Sequence, residues 1–197
     1  YFAHAEGTHE MVMVDSPGRL TPWPDYEEIR FRGPGKSGSP GESISSWIAE
    51  YGVITGQYAQ RDYNFETPST NLLTTANAER TDERNSYEIY DYPGGYPDAD
   101  SGAVVSRIRM EELDWQHQVI HGKATARGIS PGYIIKVNGH PATPASKEFV
   151  VVGADYRIAT EGGSDVHHHE EQYECTFTAV DSEKNFRPPR RARKPTV

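Results

Sequence analysis

The sequence predicts a mainly β protein with one helix, an α+β chain whose strands form antiparallel, barrel-like domains. Three observations carry this. Gly 18 and Pro 14 among 197 residues supply turns at a density that suits short strands rather than a helical bundle. Two long stretches alternate apolar and polar residues with a period of two, around residues 150–158 and 173–179. A single segment near residue 100 has the helical pattern instead.

Residues Tyr1–Ser16 read as a β-hairpin, with Glu6-Gly7-Thr8 at the turn and Val12 and Val14 alternating with Met11 and Met13. Residues 17–43 read as a long loop with prolines at 17, 22, 24, 34 and 40, pinned to a neighbouring surface by Trp23, Tyr26, Ile29 and Phe31. Strands are expected around Trp47–Ile54 and Gln57–Phe65, then a polar, irregular connector over 67–86. Tyr87–Tyr92 is extended again, and Pro93-Gly94-Gly95 makes an abrupt turn.

The helix is expected over about 100–121. Asp98 or Asp100 caps it, Val104, Ile108, Trp115 and Val119 form its apolar stripe, and Gly122 ends it. Arg107, Arg109, Glu111, Glu112 and Asp114 fall on its exposed side. Three strands follow. Tyr133, Ile135 and Val137 alternate before Asn138-Gly139. Val150, Val152, Ala154, Tyr156 and Ile158 mark one face of the next, and Tyr173, Cys175, Phe177 and Ala179 one face of the last. One apolar and one polar face per strand fits antiparallel sheets and barrels.

Charge narrows the function. The net charge is -9, yet Arg187, Arg190, Arg191, Arg193 and Lys194 place five positive charges in the last eleven residues. The remainder holds 15 basic against 29 acidic residues, or -14, which repels phosphate backbones and argues against nucleic-acid binding. The prolines of the basic tail make it a stiff connector. No run reaches the roughly 18 apolar residues of a membrane-spanning helix. Cys175 is the only cysteine, which fits folding in a reducing compartment, and its alternating strand makes it a small core residue rather than a nucleophile. The chain opens at Tyr1 in what already reads as a strand, so a preceding segment is expected.

Candidate chemistry is sparse. His167-His168-His169-Glu170-Glu171 is the obvious metal suspect, but adjacent residues on a loop diverge, whereas zinc takes about four converging ligands. No metal site or cofactor is expected from it beyond adventitious nickel or zinc. Glu27-Glu28 and Glu111-Glu112 are carboxylate pairs without a defined separation, and neighbours on a helix splay apart, so the second pair reads as surface charge. Gly33-Pro34-Gly35-Lys36-Ser37-Gly38-Ser39 lacks phosphate-loop spacing and reads as linker. Arg61-Asp62 reads as an ion pair locking a strand end. Two other readings stay open: a metal-assisted hydrolase using 167–171 with a distant carboxylate, and a carbohydrate-binding module using Trp23, Tyr92 and Tyr96.

Three aromatic junctions stand out in order: Arg61-Asp62-Tyr63-Asn64-Phe65-Glu66-Thr67-Pro68, Tyr90-Asp91-Tyr92-Pro93-Gly94-Gly95-Tyr96, and Phe186-Arg187-Pro188-Pro189-Arg190-Arg191. Between the last two lie a helix with Arg-x-Arg-x-Glu-Glu, Arg127-Gly128-Ile129, Pro131-Gly132, Gly139-His140-Pro141 and Phe149-Val150-Val151-Val152. In this order they resemble the VgrG family, the spike proteins of bacterial type VI secretion systems, and specifically the phage tail-hub-like region just before an OB-type barrel.

The resemblance implies a structural, non-enzymatic part with no catalytic residues. It divides the chain into a hairpin 1–16 continuing an upstream hub domain, an insertion and strand pair 17–86, a second barrel-like domain 87–186, and a linker 187–197. It implies a homotrimer that caps the Hcp tube hexamer, meets baseplate proteins, and carries effector proteins or adaptors. Such a protein is assembled in the cytoplasm and exported, with no stable membrane insertion by this segment.

Overall fold

A computed structural model describes residues 1–33, 41–79, 86–160 and 171–192. Strands dominate and one α-helix is present among them, in accord with the expected class. Compactness divides the chain into two discontinuous units rather than consecutive stretches: Tyr1–Glu50 with Gln118–Glu183, and Tyr51–His117 with Lys184–Val197. The stretch 17–86 is therefore shared between the units, and so is 87–186.

The first unit opens with the expected hairpin, β1 (Phe2–Ala5) against β2 (Thr8–Met11), turned at Gly7 with φ +73°. Its main body is a six-stranded sheet in the order β3-β9-β10-β11-β8-β4. The members are β3 (Glu28–Arg30), β4 (Ile44–Tyr51), β8 (Gln118–Ala124), β9 (Ile134–Asn138), β10 (Glu148–Thr160) and β11 (Glu171–Asp181). The two borders of the sheet meet. Phe31, just past β3, bridges Ile44 at the start of β4, and the Arg32 N–H donates to the Ile44 carbonyl at 2.8 Å. A sheet curled until its borders touch hides edge groups that would otherwise seek partners.

The curl encloses an apolar core that includes Ile29, Ile44, Trp47, Ile135, Phe149, Cys175 and Phe177. The predicted loop 17–43 is part of this sheet: β3 lies in it, parallel to β9, with Ile29 buried. The alternation assigned to β10 holds only for its outer half. An extra residue at Val152 shifts the register from Val151 opposite Ala179 to Gly153 opposite Thr178. Before that bulge Phe149 and Val151 face the core; after it Ala154 packs against the core opposite Phe177, and Tyr156, opposite Cys175, shares that side while staying partly exposed. One inserted residue inverts the facing of a strand, which strict alternation cannot anticipate.

In the second unit β5 (Gln57–Asp62) is central, antiparallel to β6 (Leu72–Asn77) and parallel to β7 (Glu88–Asp91). Strand β6 occupies the segment expected to be an irregular connector; Leu72 and Thr74 are its buried positions. Helix α1 (Ala99–Asp114) packs on β5 and β6, capped by Asp98, whose carboxylate accepts the Ser101 N–H at 2.8 Å. It is shorter than expected. A 3₁₀ turn, Trp115–His117, follows, and Val119 and Gly122 belong to β8. The predicted apolar stripe is also displaced, with Val104 half exposed while Gly102, Ser106 and Met110 are buried. Small residues one turn apart let the helix approach the sheet closely, so proximity rather than bulk selects the inner face.

Gly122 has a different role in β8. It stands opposite Phe177 of β11, and a β-carbon there would fall 2.1 Å from the Phe177 ring. Phe177 is buried in the core and has no room to retreat. Gly122→Ala should cost about 1–3 kcal/mol of stability by overpacking, measured by urea unfolding against the unsubstituted chain.

Candidate functional site

The junction residues of the second unit converge on one lock. The Asp62 carboxylate, at the end of β5, accepts the backbone N–H groups of Gly95 and, at 3.1 Å, Tyr96. Its neighbour Arg61 accepts the Gly94 N–H at its carbonyl, 3.0 Å away. The turn needs two unusual backbone states: a cis bond between Tyr92 and Pro93, and φ +80° at Gly95, which glycine adopts without strain. Asp62 thus holds backbone amides, a different task from the side-chain ion pair with Arg61 that was expected.

Tyr96 completes the lock from inside. It is 5% exposed, and its hydroxyl lies 2.6 Å from the Leu72 carbonyl and 3.0 Å from that of Gln60. The single phenolic proton serves those acceptors, leaving the oxygen to accept from Thr74 at 3.1 Å; Thr74 in turn meets the Ser106 hydroxyl at 2.7 Å. Gln60 donates to the Gly102 carbonyl at 3.3 Å. One tyrosine therefore links β5, β6 and the helix. The flanking rings turn outward: Tyr63, Phe65, Tyr90 and Tyr92 are each more than half exposed, and Pro68 is exposed. Asp91 accepts the Tyr58 hydroxyl at 3.0 Å; burial first, and then that bond, push the Tyr58 phenol up. A buried Tyr96 cannot stack a sugar, which removes the central ring of the carbohydrate reading.

The basic C-terminal junction closes on the acidic end of the helix. Arg187 Nε meets Glu111 at 2.7 Å, and Arg190 holds Glu112 through its backbone N–H at 2.7 Å and its Nε at 3.3 Å. Lys184 pairs with Asp114 at 2.7 Å, and Asn185 donates to Glu111 at 3.1 Å. Trp115 donates its Nε1 proton to the Arg187 carbonyl at 2.9 Å and packs its ring on Phe186. Glu111 and Glu112, expected to be surface charge, are a largely buried receptor for this strap. Pro188 and Pro189 are exposed between the two arginines and keep the strap extended.

In the first unit Gly139-His140-Pro141 forms the turn after β9, with φ +80° at Gly139. His140 packs edge-on to Phe31 at 4.7 Å and meets the Thr143 hydroxyl through Nδ1 at 2.9 Å; burial pushes its pKa down. Cys175 is fully buried, and burial pushes its thiol up to about 11, so it is protonated at neutral pH and inert. Near it, burial and the neighbouring Cys175 and Tyr156 push Tyr173 up to about 12.

An open groove of about 770 Å³ is lined in part by Glu42, Arg127, Arg157 and Tyr173. Within it Glu42 accepts the Arg127 backbone N–H at 3.2 Å, and the Arg127 guanidinium sits over the Tyr173 ring. The Pro34–Ser39 part of the glycine-rich linker, His167–Glu170 of the metal suspect, Arg193 and Lys194 lie outside the described residues. The small residues Gly102 and Ser106, one turn apart, were the signal for the helix's inner face that reading for bulk missed.

The family described as "Phage tail baseplate hub (GPD)" matches residues 1–162. Similar proteins of Pseudomonas aeruginosa PAO1 include "Type VI secretion system spike protein VgrG1b" and VgrG1a. They are 28% and 27% identical over 95% of this chain, which covers 26% and 29% of their lengths. The chain thus spans about a quarter of the curated relatives it matches. "Actin cross-linking toxin VgrG1" of Vibrio cholerae is 23% identical over 83% of this chain and 15% of its own length. Among solved structures, the tail protein of Neisseria meningitidis MC58 aligns with TM-score 0.50 at 8% identity, covering 80% of this chain and 45% of that one. That likeness shows a shared fold.

Two outcomes test the lock and the strap. Tyr96→Phe removes the hydroxyl that the Leu72 and Gln60 carbonyls accept from and should cost about 1–3 kcal/mol, read from urea unfolding. For Glu111, burial favours the neutral acid, but hydrogen bonds from Arg187 and Asn185 and the charges of Arg187 and Arg107 outweigh it, so its pKa is lowered. A lowered folded pKa gives stability that is present above the unfolded value and is lost as pH falls through the folded one. The unsubstituted chain should therefore lose more stability between about pH 6 and about pH 3 than Glu111→Gln does, measured by urea unfolding at both.

Proposed function

The chain belongs to the phage tail baseplate hub family, and from that premise we propose that it is the hub portion of a type VI secretion spike, a structural part with no catalysis in this segment. The observation that carries this reading is the family match over residues 1–162, joined by relatives named as type VI secretion spike proteins across 95% of the chain. The chemistry of the junctions agrees. Asp62, Tyr96, Glu111 and Glu112 act as fasteners between backbone segments, which suits a load-bearing part.

In this proposal three copies assemble into a ring that seats on the hexameric Hcp tube and meets baseplate proteins, while effectors or adaptors ride on the spike. The β1–β2 hairpin continues an upstream hub domain, and the strap leads to an OB-type barrel. Assembly takes place in the bacterial cytoplasm and export through the apparatus follows. The second unit offers a surface for such contacts. Tyr90, opposite Ala59, and Leu73, opposite Arg61, lie on the sheet face turned away from the helix, and both are about half exposed. Apolar side chains grouped on an open sheet face favour association, and identical contacts repeated around an axis close a ring.

Size-exclusion chromatography with multi-angle light scattering on the intact parent protein tests the reading. A mass of three subunits is expected. A monomer throughout the accessible concentration range would overturn it.

A further inference from the structure

We propose that the β1–β2 hairpin carries a two-histidine site for a late first-row divalent cation, Cu²⁺ ahead of Ni²⁺. The proposal does not depend on the hub reading. His4 and His9 stand directly opposite each other in the antiparallel register, with their Nδ1 atoms 2.7 Å apart and their rings edge to face at 5.0 Å. Both are exposed, so a hydrated ion reaches them without opening the fold. The Phe2 ring lies beside that of His4, with centroids 6.3 Å apart and planes 22° from parallel.

The separation of the two nitrogens brings both within reach of one ion. Imidazole nitrogens about 2.0–2.1 Å from one ion lie about 2.8–3.0 Å apart when they subtend a right angle, and about 3.3–3.4 Å apart at the tetrahedral angle. The observed 2.7 Å is the length of a hydrogen bond, and a small opening of these exposed rings reaches either value. Affinity for imidazole ligands peaks at Cu²⁺, ahead of Ni²⁺. Water fills the other positions, which the exposed setting allows.

The protonation balance is simple. In the hydrogen-bonded pair one ring carries its proton on Nδ1 and donates it to the other Nδ1. Coordination through both Nδ1 lone pairs requires that ring to carry its proton on Nε2 instead, an exchange that solvent mediates. Both ligands are then neutral imidazoles. The ion joins the two strands across their turn, closing a two-stranded hairpin of the kind that is marginal when unassisted.

The test uses the full chain with His167, His168 and His169 replaced by alanine, so that the tandem histidines do not compete. Titration with CuCl₂, followed by isothermal calorimetry and electron paramagnetic resonance, should give one ion per chain with coupling to two imidazole nitrogens. In the same background His4→Ala and His9→Ala should each weaken binding at least tenfold and leave one coupled nitrogen. His9→Gln, which retains a strand-compatible side chain, should do the same, with far-ultraviolet circular dichroism showing the fold unchanged. Affinity within twofold of the parent background in these variants, or a two-nitrogen signal that persists in them, overturns the site.

Discussion

The second unit depends on one buried phenol. Strand β6 is distant in sequence from the turn that carries Tyr96, and the Tyr96 hydroxyl bonds its Leu72 carbonyl and its Thr74 hydroxyl, which meets Ser106 of helix α1. Because unpaired carbonyls in a dry interior are costly, the ring must be delivered to within hydrogen-bonding distance of Leu72 and Gln60. That requirement explains the turn before it. Asp62 grips the amides of Gly95 and Tyr96 from outside while the hydroxyl is held from inside, so the segment is fixed at both ends of one residue. Gly102 has no side chain for the same reason: a β-carbon there would fall 2.6 Å from the Tyr96 ring.

A second constraint is electrostatic. The acidic end of α1 would repel itself in a low-dielectric setting, and the free carbonyls of a helix C-terminus add negative partial charge. Lys184, Arg187 and Arg190 neutralise it from outside the helix. The chain returns to the second unit at Lys184 after building most of the first unit's sheet, and the ion pairs secure that return. Trp115, with its ring on Phe186 and its indole proton on the Arg187 carbonyl, gives the strap an apolar anchor that salt does not screen.

The first unit solves a different problem. A six-stranded sheet has two borders, and here β3 and β4 meet at Phe31 and Ile44. Trp47 fills the space that the curl encloses, with Phe149 edge-on at 4.9 Å. The bulge at Val152 lets the long β10–β11 hairpin contribute Phe149 and Val151 at its base and Ala154 and Tyr156 beyond it to the same side. Insertions of this kind add local twist where a sheet must bend.

Local chemistry in the sequence sufficed for the elements governed by near neighbours. The β1–β2 hairpin, the face of β11 that presents Cys175, Phe177 and Ala179, the Asp98 cap and the Pro93–Gly95 turn depend on residues only a few positions apart, and all are where the residues place them. The ordered junctions also carried the family. The tertiary structure decided whatever requires knowing what lies across a gap. Strand β6 is polar enough to read as a connector, because its buried threonine is satisfied by a helix hydroxyl rather than by apolar neighbours. The inner face of α1 is marked by absent bulk, and only the Tyr96 ring gives that absence meaning. Glu111 and Glu112 look solvated until Arg187 and Arg190, some 75 residues later, arrive beside them. Periodicity reports which side of an element is apolar, whereas charge pairing and close approach belong to two elements at once and exist only when the fold brings both together.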